Sequence, residues 1–365
     1  FLGMSHFFLG EYDKALPIFE RVGNGKGRLS GGKGRYWRAR TLQKMGNKSR
    51  AIDGYSALVA SYPFSWYALL AHSRLREMGK DLGPFGSSPA DPGRAPDIAA
   101  TVPAELTRDP LIRDADELIG AGLGVFAARE LRAGERAFLK RHGREKGLAA
   151  LLDRYRKAGN FNRPWMLAVV YGGSRALNAP PKLEARVWWE HAYPRAYRDL
   201  VDANRGLGNN PPFWLYSIMR KESGFDPHVH SYADARGLLQ MIPATTKRVV
   251  ARLGMEYTTD LLFDPEANIK TGSWYIGHLF HKFREQVPMA AGSFNSGPRP
   301  VMRWLDKNKG YPIDEWVELV SYTQTREYMK KVTETYARYQ YLYQGKVYQQ
   351  PLKVDSAYVK DKLTY

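Results

Sequence analysis

The sequence of 365 residues contains no cysteine. This absence excludes disulfide bonds, thiolate metal ligands and cysteine nucleophiles. Long apolar runs are also missing, and no stretch approaches the roughly 18 consecutive apolar residues that a membrane-spanning helix requires. Strand-like alternation is scarce, whereas Ala, Leu, Arg, Lys and Glu dominate the periodic windows. The sequence therefore predicts a mainly helical protein.

Apolar and basic residues are both plentiful. Hydrophobic residues make up 44% of the chain, which is enough to bury a core and excludes a natively disordered protein. The net charge is +18, and residues 1–189 hold 31 Lys and Arg against 18 Asp and Glu. A basic surface attracts nucleic acid, anionic lipid or an acidic cell-wall polymer, and charge alone does not choose among them. The alternative is that these side chains only solvate helix faces.

A weak internal repeat lies near the N-terminus. Three residues recur 36 positions later, Gly10, Ala15 and Phe19 as Gly46, Ala51 and Tyr55. This offset is close to the tetratricopeptide period of about 34 residues, in which small residues let paired helices approach closely. The pattern predicts stacked helical hairpins in this part of the chain.

The stretch 212–227 carries the first candidate for chemistry. Trp214, Leu215, Ile218 and Met219 fall on one face of a predicted helix, and Glu222 continues that apolar stripe. Gly224 and Asp226-Pro227 then end the helix. A carboxyl group on the inward side is expected to have a raised pKa, as a general acid needs. The alternative is that the helix simply ends here and Glu222 points to water.

Three further polar islands follow this helix. They are Ser231, the segment Gly237-Leu238-Leu239-Gln240, and Ser293-Phe294-Asn295-Ser296-Gly297. Between the last two, Asp264-Pro265 has the N-cap and first-position pattern of another helix.

Together with Glu222-Ser223 and Gln324-Thr325-Arg326, these islands resemble the soluble lytic transglycosylase family of bacterial cell-wall enzymes. The resemblance covers roughly 190–345, and helical-repeat arms are typical of the larger members. It implies an N-terminal tetratricopeptide-like α-superhelical solenoid followed by a lysozyme-like, α-rich catalytic domain. We therefore predict these segments: 1–82 helical repeats, 83–110 linker or long loop, 111–189 further helices, 190–345 catalytic domain, and 346–365 C-terminal tail.

The resemblance also implies a reaction and a set of site residues. Family members cut the β-1,4 bond between N-acetylmuramic acid and N-acetylglucosamine in peptidoglycan, without water, and leave a 1,6-anhydro end. Glu222 would act first as general acid and then as base, with no second carboxylate. The residues expected to bind or orient the sugar are Ser223, Ser231, Gln240, Phe294, Asn295, Tyr322 and Gln324. No cofactor and no metal are implied.

Two site residues depart from the family pattern. Phe294 replaces a Tyr whose hydroxyl lies near the catalytic Glu in the family, and Gln324 replaces a Glu that contacts substrate. These changes favour the alternative of a weakly active or non-catalytic peptidoglycan-binding scaffold, whereas an intact Glu222 favours an enzyme.

The expected partners are peptidoglycan strands, together with cell-wall proteins recruited by the repeats, and no nucleic acid. The expected location is the bacterial periplasm or cell envelope. No signal peptide is visible in the sequence, so export or a membrane anchor would depend on a segment that it does not contain.

Overall fold

The structure is a computed structural model that describes residues 2–23, 31–86, 102–171, 176–182 and 184–361. Within those ranges helix is the dominant regular element and no strand forms; single bridges join Arg236 to His230 and to Met241. The mainly α prediction is confirmed. None of the helices in the described ranges combines the length and apolarity of a membrane span.

The chain divides into two compact units. Unit 1 consists of Phe1–Asp91 and Leu279–Tyr365, and unit 2 consists of Pro92–His278. The units group the chain differently from the predicted segments, because N-terminal and C-terminal helices pack together in unit 1. The predicted domain boundaries themselves stay a prediction.

The helices of unit 1 come from both ends of the chain. They are α1 (Leu2–Phe8), α2 (Tyr12–Gly23), α3 (Lys33–Lys44), α4 (Lys48–Ser61), α5 (Trp66–Glu77), α16 (Val287–Ser296), α17 (Pro298–Lys307), α18 (Ile313–Glu318) and α19 (Thr323–Gln344).

The helices of unit 2 are contiguous in sequence. They are α6 (Ala104–Thr107), α7 (Pro110–Gly120), α8 (Gly124–His142), α9 (Arg144–Lys157), α10 (Asn162–Tyr171), α11 (Glu184–Ala192), α12 (Arg198–Asn204), α13 (Trp214–Glu222) and α14 (Pro243–Arg252). The division between the units falls inside α15 (Pro265–Lys282).

The N-terminal repeat forms helical hairpins. Gly10 and Gly46 both adopt left-handed backbone conformations, with φ of 76° and 80°, after the first helix of each pair. Ala15 and Ala51 are completely buried, so the helices of each pair can approach closely. The hairpins predicted from the 36-residue repeat are thus present as α1–α2 and α3–α4.

Buried charges join the two ends of the chain within unit 1. The completely buried Asp314 accepts hydrogen bonds from Tyr36 at 2.6 Å and from Arg74 at 2.9 Å. One turn later, Glu318 accepts hydrogen bonds from Tyr67 at 2.7 Å and from Lys330 at 3.0 Å. Arg74 of α5 and Lys330 of α19 thereby neutralise the two buried carboxylates of α18, as buried charges require, and the two tyrosine hydroxyls add hydrogen bonds.

Burial alone would raise the pKa values of both carboxyls, but their cationic partners outweigh it. Arg74 and Arg40 hold the pKa of Asp314 below its ordinary value. Lys330 and Lys33 lower the pKa of Glu318 to about 2. Both groups are therefore ionised at neutral pH, and their ion pairs contribute to the stability of unit 1.

The predicted linker and tail are only partly described. Residues 87–101 of the linker and 362–365 of the tail lie outside the described residues, while the described end of the linker contains α6 with the buried Leu106. The tail has no helix from 346 to 361 but packs on unit 1, where the Ile313 amide donates to the Leu352 carbonyl at 2.8 Å.

Candidate functional site

Glu222 is the last residue of α13. The predicted apolar stripe is confirmed, since Trp214, Leu215, Ile218 and Met219 are each at most 2% exposed. Glu222 follows this buried face and is itself half-buried. The carboxyl group therefore lies at the boundary between the core of unit 2 and its surface.

The backbone after Glu222 is held tightly. Gly224 has a φ of 57°, as expected for a residue that ends a helix, and the following Phe225 has a φ of 70°. A Cβ atom on Gly224 would collide with the ring of Trp165. The Asn162 side chain donates to the Gly224 carbonyl at 3.0 Å. These two α10 residues support the end of α13, a role that the sequence alone did not indicate.

Asp226, which precedes Pro227, caps a turn. Its Oδ1 accepts a hydrogen bond from the His228 amide at 2.9 Å. Asp226 is the acidic residue that follows Glu222 most closely in sequence, and one of its carboxylate oxygens is therefore engaged in this turn.

Ser223 ties the end of α13 to the Gly237–Gln240 turn. It is 8% exposed, and its Oγ donates to the Leu238 carbonyl at 2.7 Å while accepting from the Phe225 amide at 3.1 Å. Two of the predicted sequence islands are thus joined directly. The bonds fix the residue next to Glu222; a contact between Ser223 and sugar stays a prediction.

The Gly237–Gln240 turn is anchored by Asn268 of α15. Asn268 is completely buried; its Oδ1 accepts from the Leu239 amide at 2.9 Å, and its Nδ2 donates to the carbonyls of Arg236 and Leu262 at 3.0 and 2.7 Å. Gly237 has a φ of 71°, and a Cβ there would collide with the same amide group. No local sequence signal indicates Asn268, because it lies 28 positions after Gln240 and belongs to none of the polar islands.

Gln240 and Ser231 also organise this loop. The Gln240 Nε2 donates to the carbonyls of Val229 and Gly237, both at 2.9 Å. The Ser231 Oγ accepts from the Ala235 amide at 3.0 Å. These bonds do not involve the Oε1 atom of Gln240. Sugar binding by Gln240 stays a prediction, and it would use this atom.

The remaining predicted site residues belong to unit 1. Asn295 and the half-buried Phe294 lie in α16. Thr325 of α19, which is 2% exposed, donates from its Oγ1 to the Asn295 Oδ1 at 2.8 Å. This bond orients the Asn295 amide, a role of Thr325 that its sequence position does not indicate.

Tyr322 and Gln324 flank the start of α19 and are exposed. The Tyr322 ring, 49% exposed, packs edge-on against Trp304 with ring centroids 5.1 Å apart. Its hydroxyl-bearing side chain is therefore both supported and accessible. Among the residues described, no group of three or more His, Asp or Glu is arranged to hold a metal ion.

Comparisons with known proteins identify two segments of the chain. Residues 199–317 match the family model of the transglycosylase SLT domain, and residues 34–65 match a tetratricopeptide repeat. This chain carries an SLT domain. Its matched range contains Glu222, the Gly237–Gln240 turn and Asn295.

Curated proteins that match this chain include lytic murein transglycosylases, in agreement with the resemblance seen in the sequence. The soluble lytic murein transglycosylase of Escherichia coli K12 is 27% identical over 316 residues, which is 84% of this chain and 43% of that protein. The membrane-bound lytic murein transglycosylase C of Actinobacillus pleuropneumoniae serotype 5b is 33% identical over 167 residues, covering 40% of this chain and 46% of that protein. The chain thus spans less than half the length of these curated relatives.

A solved structure shares the fold. The lytic transglycosylase Slt of Pseudomonas aeruginosa, solved as an inactive mutant, superposes with a TM-score of 0.68 at 22% identity, over 98% of this chain and 53% of that one. The expected fold class, a helical protein with tetratricopeptide-like repeats and a lysozyme-like SLT domain, is confirmed.

Proposed function

We propose that the chain is a lytic transglycosylase that cleaves the bond between N-acetylmuramic acid and N-acetylglucosamine in peptidoglycan and forms 1,6-anhydro-N-acetylmuramic acid. The observation that carries the proposal is the fixed position of Glu222 in a matched SLT domain. Its helix is buried along one face. The next residue, Ser223, is hydrogen-bonded to the Leu238 carbonyl, and Gly224 is held by Trp165 and Asn162.

Glu222 performs the two proton transfers in this mechanism. It first protonates the glycosidic oxygen of the leaving sugar. As a carboxylate it then takes the proton from the muramic C6 hydroxyl, whose oxygen attacks the anomeric carbon, so that the proton count balances and no water enters. The acetamido group of the substrate stabilises the intermediate charge in place of a second carboxylate.

The other predicted site residues have a supporting role in this proposal. Ser223, Ser231 and Gln240 keep the loop after Glu222 in place through backbone hydrogen bonds. Asn295 and Gln324 offer amide groups to the sugar, while Phe294 and Tyr322 offer aromatic faces. A peptidoglycan substrate supports the proposed location in the periplasm or cell envelope of a bacterium.

A non-catalytic peptidoglycan-binding scaffold is the second candidate. The specific observation that favours it is the pair of departures from the family pattern, Phe294 and Gln324. The first removes a phenol and the second a carboxylate from the predicted set of sugar contacts. Cell-wall proteins bound by the helical repeats would be the partners of such a scaffold.

Digestion of purified sacculi decides between these candidates. We expect mass spectrometry to detect anhydro-muropeptides with the wild-type protein and none with Glu222→Gln, which keeps the size and polarity of the side chain. The matched control is Glu256→Gln, an exposed glutamate of unit 2, which should leave product release unchanged. Intact glycan with the wild-type protein would support the scaffold, and products with the Glu222 variant would remove Glu222 from the mechanism.

A further inference from the structure

A hollow of about 190 Å³ lies in unit 2 beside the first turn of α13. Its apolar lining includes Val201, Leu215 and Tyr216, which are each at most 3% exposed. We call these buried apolar side chains the floor of the hollow. They form an apolar surface that suits a small aliphatic group, such as a methyl side chain.

Cationic side chains surround this floor. Arg195, Arg198 and Arg205 line the hollow, and all three are exposed. Asp202 is the one acidic lining residue, and it pairs with Arg198 at 3.4 Å. Three positive charges against one negative leave the rim with an excess of two, which attracts an anionic group. Guanidinium groups favour carboxylates because they can donate two parallel hydrogen bonds.

The start of α13 adds to this preference. Its N-cap residue, Phe213, makes no side-chain capping bond, and the helix is nine residues long. The first turn carries the positive end of the helix dipole, and the Trp214 amide there donates to the Pro211 carbonyl at 3.2 Å. The same turn supplies Leu215 and Tyr216 to the hollow.

The hollow is separate from Glu222. The helix rises 1.5 Å per residue, so the eight steps from Trp214 to Glu222 place the two ends of α13 about 12 Å apart along its axis. A group bound in the hollow would therefore leave the proton-transferring carboxyl untouched.

We propose that this hollow binds the terminal carboxylate and small apolar side chain of a short peptide. The proposal rests on the proposed function, because peptidoglycan carries peptide stems with free carboxylates and alanine methyl groups. The hollow would hold a stem while the glycan is processed elsewhere on the protein.

The test is calorimetric titration of the full chain with acetyl-D-alanyl-D-alanine and with its C-terminal amide, at low salt. We expect the acid to bind and the amide to bind at least tenfold more weakly. Arg205→Gln should weaken acid binding about fivefold, the size of one solvent-exposed ion pair. The double variant Arg195→Gln, Arg205→Gln should abolish detectable binding.

The matched control is Arg252→Gln, an exposed arginine of unit 2 that does not line the hollow. It removes the same charge and should leave binding unchanged. Equal binding of acid and amide, equal weakening by the control, displacement of the peptide by an equal concentration of inorganic phosphate, or no binding at all would each overturn the proposal.

Cleavage of peptide-free glycan strands separates this proposal from the proposed function. Arg205→Gln should cut such strands at the wild-type rate. A chain that cuts glycan but binds no peptide contradicts only the hollow as a peptide site. A chain that binds the acid selectively but cuts no glycan contradicts only the enzymatic function.

Discussion

Replacement of Glu318 by glutamine tests how strongly the buried charges stabilise unit 1. The side chain of Glu318 is 5% exposed and pairs with Lys33 at 2.5 Å and with Lys330 at 3.0 Å. Its pKa falls from the ordinary 4.5 to about 2, because Lys330 and Lys33 outweigh the burial that would raise it. At about 1.4 kcal/mol for each pKa unit, this shift corresponds to about 3 kcal/mol of stability at neutral pH.

The pH dependence of this contribution has a definite sign. A carboxyl whose pKa is lowered by folding stabilises the protein fully above its unfolded pKa, and the contribution disappears as the pH falls through the folded value. For Glu318 the loss extends from about pH 4.5 to about pH 2. The difference in the free energy of unfolding between wild type and Glu318→Gln should therefore shrink across this window.

Urea unfolding followed by tryptophan fluorescence measures the effect. We expect Glu318→Gln to lower the free energy of unfolding of unit 1 by about 3 kcal/mol at pH 7. Glu327→Gln is a matched control, because Glu327 also pairs with Lys330, at 3.1 Å, but is 55% exposed. The control should cost at most about 1 kcal/mol. Equal losses in the two variants, or a loss with Glu318→Gln that is the same at pH 3 and pH 7, would refute the reasoning.

The remaining predictions concern the supports of the candidate site. Gly224→Ala should lower both stability and product release in thermal-melting and sacculus-digestion assays, because the left-handed backbone and the Trp165 ring leave no room for a Cβ; wild-type values would contradict this. Asn268→Ala should lower the free energy of unfolding of unit 2 by about 3 kcal/mol in urea, since it removes three buried hydrogen bonds of about 1 kcal/mol each; a loss below 1 kcal/mol would count against it. Thr325→Val should raise the KM for glycan strands by releasing the Asn295 amide, whereas Thr325→Ser should restore it; an equal KM in both variants would exclude the positioning role.

Local sequence signals predicted the elements that carry the site. The apolar stripe from Trp214 to Met219 and the left-handed Gly224 were sufficient to place α13 and its end. Asp264 caps α15 by accepting from the Ala267 amide at 2.8 Å, as the Asp-Pro pair indicated. These features depend on neighbours within a few residues, which is why they can be derived from sequence.

Contacts between distant segments could not be derived in this way. Asp314 belongs to a residue type that is usually exposed, and its buried partner Arg74 lies 240 positions earlier. Asn268 and Trp165 likewise act through the fold. The polar groups of Ser223 and Gln240 illustrate the same difficulty, because their types suit a sugar or a backbone carbonyl equally well, and the bonds shown here go to the backbone.

Digestion of sacculi in ¹⁸O-labelled water tests the central claim most directly. If Glu222 transfers the proton from the muramic C6 hydroxyl, the new ends are anhydro sugars and contain no label. We predict muropeptides at the unlabelled anhydro mass in the wild-type digest. Reducing ends that carry one ¹⁸O atom would mean that water is the nucleophile, and would contradict the mechanism proposed for this chain.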